Sequence, residues 1–146
     1  MVTFTREAHD AIVRHAERGK PYEICGVLGG TRDPGGGEDD GRDGDDRVAT
    51  TVTVENISET PEVNYHMEPE DQLRAIDEVE DAGHDVVGFY HSHPEGPEQP
   101  SSTDEDRATW PDHVYVIVSL GPSEPFVGAW RWTGEGFQEE PVHIED

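Results

Sequence analysis

The sequence predicts a mixed β-sheet flanked by helices, an α/β or α+β fold. Two observations support this prediction. Apolar residues gather in short bounded runs, and the patterns follow one another in the order helix, strands, helix, strands, short helix, strands. Segments arranged in this way bury their apolar faces by stacking in layers. A length of 146 residues is that of one domain with its own core, so we expect a single domain spanning residues 1–146.

Three helices are predicted from apolar spacing and end signals. The first covers residues 6–18 with Thr5 as its N-cap, since its apolar side chains recur on one face at Ala8, Ile12 and Ala16. The second begins at Pro69 and closes at Gly83, and its apolar positions are Leu73, Ile76 and Val79. A short third helix is expected from about Ser102 to Trp110.

The strands are predicted from runs of β-branched and aromatic residues bounded by turn residues. The predicted strands are Tyr22–Leu28, Val48–Glu55, Val86–Tyr90, Val114–Leu120, Phe126–Trp132 and Gly136–Ile144. The first of these strands is expected to end at Gly29-Gly30. In the fifth, Arg131 is expected to point outward between Trp130 and Trp132.

Residues 32–47 contain no apolar side chain and are mostly glycine and acidic residues. A segment of this composition cannot bury apolar surface. We therefore expect a mobile acidic loop inserted between two strands, not a boundary between domains.

The charge of the chain is strongly negative, with 34 acidic against ten basic residues and a formal net charge of −24. The acidic residues are spread over nearly every segment, which favours a halophilic surface over a patch that grips one basic partner. We expect no binding to nucleic acid, because phosphate contacts need stripes of Lys and Arg.

No apolar run is long enough to cross a membrane, so a cytoplasmic location is expected. Cys25 is the only cysteine, which excludes an intrachain disulfide and a four-cysteine zinc site.

Two histidines, His91 and His93, follow the apolar run 86–90. Residues i and i+2 of a strand point to the same face, so both imidazoles could reach one metal ion. Two exposed histidines in a loop would show the same letters, and that alternative stays open on this pair alone. Asp104 is the natural third ligand, although an acidic residue at a helix start also serves as a local cap.

The pattern of His91-Ser92-His93-Pro94, then Ser101, then Asp104, resembles the signature of the JAMM metalloproteases, also called the MPN+ family. The upstream segment Pro21 to Gly29 resembles the part of those proteins that supplies a catalytic glutamate. The resemblance extends over roughly Thr5 to Trp132 and fails only at the acidic insertion. It implies the MPN/JAMM fold, which is cytidine deaminase-like, in a compact archaeal and, given the acidity, haloarchaeal member.

By this resemblance, one Zn²⁺ is held by His91, His93 and Asp104. Glu23 is the general acid and base beside the metal, and Ser101 donates a hydrogen bond to the developing oxyanion. The implied activity is that of an isopeptidase that hydrolyses the bond after the C-terminal Gly-Gly of ubiquitin-like modifiers conjugated to lysine. Processing of a ubiquitin-like sulfur carrier by the same metal site, and a scaffold domain without catalysis, are the alternatives. The sequence does not distinguish a monomer from a homodimer.

Overall fold

The computed structural model of the protein describes residues 1–32, 46–121 and 124–145. Its three helices and eight strands in that part of the chain are β1 (Val2–Phe4), α1 (Arg6–Gly19), β2 (Cys25–Thr31), β3 (Asp46–Val54), α2 (Pro69–Asp81), β4 (Asp85–His93), α3 (Ser102–Arg107), β5 (Val114–Ser119), β6 (Phe126–Trp132), β7 (Phe137–Glu140) and β8 (Val142–Ile144).

The strands form one mixed sheet in the order β7-β6-β5-β4-β2-β3-β1-β8. β4 lies inside it, antiparallel to β2 and parallel to β5. The two edge strands β7 and β8 follow each other in the chain with Pro141 between them, and the carbonyl of Pro141 accepts a hydrogen bond from the backbone of Val2. One bent segment of chain therefore contributes to both edges of the sheet.

The helices cover opposite faces of this sheet. Ile12 of α1 packs into one core with Leu28 and Tyr90, while Val79 of α2 packs into a second core with Val27 and Phe89. Neighbouring residues of a strand thus belong to different cores, as the alternation of side chains requires. The predicted mixed sheet flanked by helices is confirmed.

Several predicted element boundaries differ from the structure. β1 is not predicted from the sequence, because three residues are too few for an alternating pattern to be recognised. β2 begins at Cys25 and runs through both glycines to Thr31, so Gly29-Gly30 do not end it. A Cβ at Gly30 would lie 1.9 Å from the carbonyl oxygen of Arg47. The glycine is needed for close approach of strands, not for a turn.

Three further predictions are corrected. Leu73 is 58% exposed, because Ala75, Ile76 and Val79 supply the buried stripe of α2. α3 ends at Arg107, and the last predicted strand is split in two at Pro141, which has no N–H to donate. Arg131 does not extend outward into solvent, since its side chain is only 12% exposed and its guanidinium pairs with Asp46 and Glu140, both nearly buried.

The acidic insertion lies outside the described residues from 33 to 45. Its predicted end is corrected, because Asp46 and Arg47 already belong to β3. Among the helices of the described residues, none has the length and apolar character that a membrane crossing requires.

Candidate metal centre

His91 and His93 both lie within β4. They alternate with Tyr90 and Ser92 and so share the face of Phe89, on the side of the sheet that α2 covers. Both are almost fully buried, with 2% and 4% of their surface exposed. The structure therefore places the pair in a strand and excludes the exposed-loop alternative.

Asp104 comes to the pair from α3. Its Oδ2 lies 3.1 Å from Nε2 of His91 and 3.1 Å from Nε2 of His93, and the two Nε2 atoms are 3.2 Å apart. The three atoms form a nearly equilateral triangle, and the Asp104 side chain is 9% exposed. Burial alone would raise the pKa of Asp104, but hydrogen bonds with both imidazoles hold that pKa well below its usual range.

The triangle fits a tetrahedral zinc site. Bond lengths of about 2.0 to 2.1 Å to nitrogen and oxygen put two ligands of a tetrahedral ion about 3.3 Å apart. The observed separations of 3.1 to 3.2 Å are close to that value. Two imidazoles and one carboxylate are also ligands that Zn²⁺ accepts, and three protein ligands leave one position open.

His93 is oriented by the loop after β4. Its Nδ1 lies 2.8 Å from the carbonyl oxygen of Pro97, which can only accept, so Nδ1 carries the hydrogen and Nε2 presents its lone pair. Gly96, with a φ of 91°, makes the turn that returns this carbonyl to the ring. The ring of Tyr65 stacks on His91 at a centroid distance of 4.4 Å. Sequence reasoning missed both supports, although Gly96-Pro97 directly after the pair was a turn signal.

Asp104 also takes part in the N-terminal cap of α3. The position of a metal ligand and the role of a helix cap, which the sequence offered as alternatives, are therefore combined in one residue. Its Oδ2 accepts from the backbone N–H of Ser101, and its own N–H donates to the hydroxyl of Ser101. This capping box fixes the carboxylate relative to the helix start. The Ser101 hydroxyl thereby accepts one bond and keeps its hydrogen for another acceptor.

Glu23 lies just before β2, on the chain that pairs with β4. The register that sets Cys25 opposite His91 continues through hydrogen bonds between Ile24 and Ser92, so Glu23 stands opposite His93. Its side chain is buried, and its Oε1 has no hydrogen-bond partner within the described residues. Burial raises the pKa of Glu23 to about 7, with His93 lowering it and Asp104 raising it.

The backbone of Glu23 is held from the other side by the segment between β3 and α2. Its N–H donates to the carbonyl of Pro61, and its carbonyl accepts from the side-chain amide of Asn56. The backbone around Glu23 is therefore held by β4 on one side and by the β3–α2 segment on the other, and this fixes the position from which the carboxylate extends. Cys25, as predicted, is a small buried residue beside the site, and its burial raises the pKa of its thiol to about 12.

Residues 5–133 match the family model described as prokaryotic homologs of the JAB domain. The chain is 38% identical over 149 aligned residues to the desampylase of Haloferax volcanii, covering 99% of this chain and 96% of that protein. It is 34% identical over 136 residues to the CysO-cysteine peptidase of Mycobacterium tuberculosis, covering 92% and 85%. A JAB1/MPN domain protein from Archaeoglobus fulgidus shares the fold, with a TM-score of 0.59 at 18% identity over 99% of both chains.

Proposed function

Because the chain belongs to the family of prokaryotic homologs of the JAB domain, we propose that it is a zinc-dependent isopeptidase of ubiquitin-like modifiers. It hydrolyses the bond that joins the C-terminal Gly-Gly of a small archaeal modifier to a lysine side chain. The observation that carries the proposal is the buried triangle of His91, His93 and Asp104, with separations of 3.1 to 3.2 Å. Glu23 lies on the same face, and its Oε1 has no hydrogen-bond partner among the described residues. A scaffold domain has no need of these four groups together.

His91, His93 and Asp104 hold the zinc ion in this proposal. Bound there, zinc supplies a Lewis acid that activates water near neutral pH and polarises the carbonyl of the scissile bond. The chain keeps the ligands in place through the Pro97 carbonyl, the Tyr65 ring and the capping box of α3. The Pro97 carbonyl fixes the tautomer of His93, and the capping box fixes the direction of the Asp104 carboxylate.

Glu23 is the general base and acid. Its Oε1 makes no hydrogen bond within the described part of the chain, so it is free to take a proton from the attacking water and pass it to the leaving amine. A carboxyl group with a pKa raised toward neutrality by burial is suited to both halves of that transfer. Ser101 directs its remaining hydroxyl hydrogen to the oxygen on which negative charge develops.

The burial of the site restricts the substrate. The histidines are exposed by only 2% and 4%, so the scissile bond reaches them as part of a narrow, extended segment. Glycine lacks a Cβ and lets a backbone approach closely, which suits a Gly-Gly tail. The partners are therefore ubiquitin-like modifiers and their conjugates. A cytoplasmic location accords with a sole thiol that is buried and unpaired.

A second candidate is the processing of a ubiquitin-like sulfur carrier by the same site. The relative named CysO-cysteine peptidase, which aligns with 92% of this chain, favours it. The two functions differ in the group attached to the Gly-Gly tail, not in the metal chemistry.

One modifier prepared in two forms tests the proposal. In the first form its Gly-Gly tail is joined to a lysine side chain, and in the second it is joined through a peptide bond to cysteine. Cleavage of the first form with the higher kcat/KM, abolished by a chelator and restored by zinc, is expected. A higher kcat/KM on the cysteine adduct would assign the second candidate, and cleavage unaffected by the chelator would exclude zinc catalysis.

A further inference from the structure

A second pocket, of about 370 Å³, lies between α1 and the sheet on the face opposite the candidate metal centre. Tyr90 belongs to its lining, whereas the next residue, His91, points to the metal side. The remaining lining is largely polar and basic, and its polar members are Arg14, His15, Arg18, Thr51 and Thr53.

The sequence builds this pocket from two periodicities. Arg14 and Arg18 are four residues apart and therefore share one side of α1. Thr51 and Thr53 are two residues apart in β3 and share one face of the sheet. Five donor-bearing side chains with Tyr90 thus surround one concave space.

Gly26 makes room for the floor of the pocket. It pairs with Thr53 on one side and with Tyr90 on the other. A Cβ at Gly26 would lie 2.5 Å from Cε1 of Tyr90, so the tyrosine ring lies across the position that a side chain would fill. The hydroxyl of this buried tyrosine is held 2.8 Å from Nδ1 of His15.

Among the described residues, no side chain hydrogen-bonds or forms an ion pair with the guanidinium group of either pocket arginine, and Asp10 interacts with Arg14 only through longer-range charge. In a chain with 34 acidic residues, neither Arg14 nor Arg18 has a side-chain hydrogen bond or ion pair within the part that the structure describes. Other arginines there are engaged, for example Arg47 with Glu145, Arg74 with Glu78 and Arg107 with the Tyr65 carbonyl. The positive field reaches His15, whose pKa is lowered by burial and further by Arg18.

We propose that this pocket binds an oxyanion, either a carboxylate or a tetrahedral group such as sulfate or phosphate. Guanidinium groups form short, charge-assisted and often bidentate bonds to these groups, and threonine hydroxyls can donate to further oxygens. Two guanidinium groups that no carboxylate of the described residues contacts, beside hydroxyl donors, are complementary to several acceptor oxygens on one anion. The site is independent of the proposed peptidase activity, because it uses the other face of the sheet.

Binding of potassium sulfate and of potassium succinate to the purified zinc-loaded protein, measured by calorimetry in potassium chloride at fixed ionic strength, tests the site. Saturable binding of at least one anion is expected. Arg14→Gln and Arg18→Gln should each weaken it about tenfold or more, as expected for loss of a charge-assisted bond. Thr53→Val, which keeps the shape of the side chain and removes its hydroxyl, should weaken it about threefold to tenfold.

Arg74→Gln is the matched control, because it removes an equal charge from an exposed position of α2, on the other side of the sheet. Its affinity should equal that of the unmodified protein. A preference for sulfate assigns a tetrahedral ligand, and a preference for succinate assigns a carboxylate. Absence of saturable binding by both anions, or equal weakening in Arg74→Gln and Arg14→Gln, would overturn the proposal.

Discussion

Glu23 stands opposite His93 across the pairing of the β2 segment with β4, two residues beyond the pair Cys25 and His91. Side chains two residues apart on a strand share a face, so the carboxylate and both imidazoles project to the same side of the sheet. The general base and two of the three proposed ligands are thereby aligned by hydrogen bonds between β4 and the residue before β2: the Ser92 N–H donates to the Ile24 carbonyl, and the Ile24 N–H donates to the Ser92 hydroxyl. The expected roles of these groups can be separated by experiment.

Substitution of His93 or Asp104 by alanine should remove zinc while the sheet remains folded. The loss of one of three protein ligands leaves too few to hold a catalytic zinc tightly. Metal analysis of the purified protein should give about one zinc per chain before substitution and a small fraction of that afterwards. His143→Ala changes an exposed histidine and should keep the metal. Full occupancy in His93→Ala would exclude His93 as a ligand.

Glu23→Gln should retain zinc and lose roughly 10²- to 10⁴-fold in kcat, the usual contribution of general acid and base catalysis. Glutamine has nearly the same shape but cannot take up the proton. Turnover of a Gly-Gly-linked conjugate and the zinc content are measured on the same preparation. Glu62→Gln, at an exposed position of the β3–α2 connection, should change neither quantity. Zinc loss in Glu23→Gln would make Glu23 a ligand, and normal turnover would show that another group is the base.

The metal-free protein should show the cost of burying Glu23 as a pH dependence of stability. The folded pKa of about 7 exceeds the ordinary value of 4.5, so the wild type loses stability as the pH rises from about 4.5 through about 7. Glu23→Gln lacks this loss and should gain about 1 to 3 kcal/mol in the free energy of unfolding relative to wild type over that interval. Denaturant titrations with a chelator present measure the difference. Curves that stay parallel with pH would show that Glu23 titrates normally.

Cys25 should resist thiol reagents at about pH 8 in the folded protein and react fully once unfolded. Burial raises the pKa of the thiol to about 12, so almost no thiolate is present, and the residue is inaccessible. Release of the coloured product of a disulfide reagent, with and without denaturant, measures both states. Rapid modification of the folded protein would indicate that the strands around Cys25 open frequently.

Arg131→Met should destabilise the fold by about 3 to 5 kcal/mol, because buried Asp46 and Glu140 both lose the guanidinium that pairs with them, and Glu140 keeps the N-terminal amine of Met1. Arg74→Met breaks only exposed pairs and should cost no more than about 1 kcal/mol. Denaturant unfolding of both variants at one salt concentration provides the comparison. Equal small losses would mean that water or another cation compensates the two carboxylates.

Local periodicity is sufficient to predict the main helices and most strands. Thr5 caps α1, and α2 begins at Pro69, because capping and proline effects depend on a few adjacent residues. The spacing of Leu73 predicts a core position, yet the residue is exposed, since periodicity does not reveal which apolar residues of a broad stripe face the sheet. The outward orientation predicted for Arg131 is wrong, since no local pattern could show that Asp46, 85 positions away, would neutralise it.

For the candidate site, local sequence is sufficient to predict which side chains are available: two histidines at strand spacing, and an aspartate at a helix start. These features follow from backbone geometry over a few residues. Three relationships follow from the packed fold instead: His91, His93 and Asp104 converge to 3.1 to 3.2 Å, Glu23 stands opposite His93, and the back of β4 forms a basic pocket with α1. Each of these depends on strand register and on helices packing across a sheet. Such relationships join residues far apart in the chain, so no short stretch of sequence contains them.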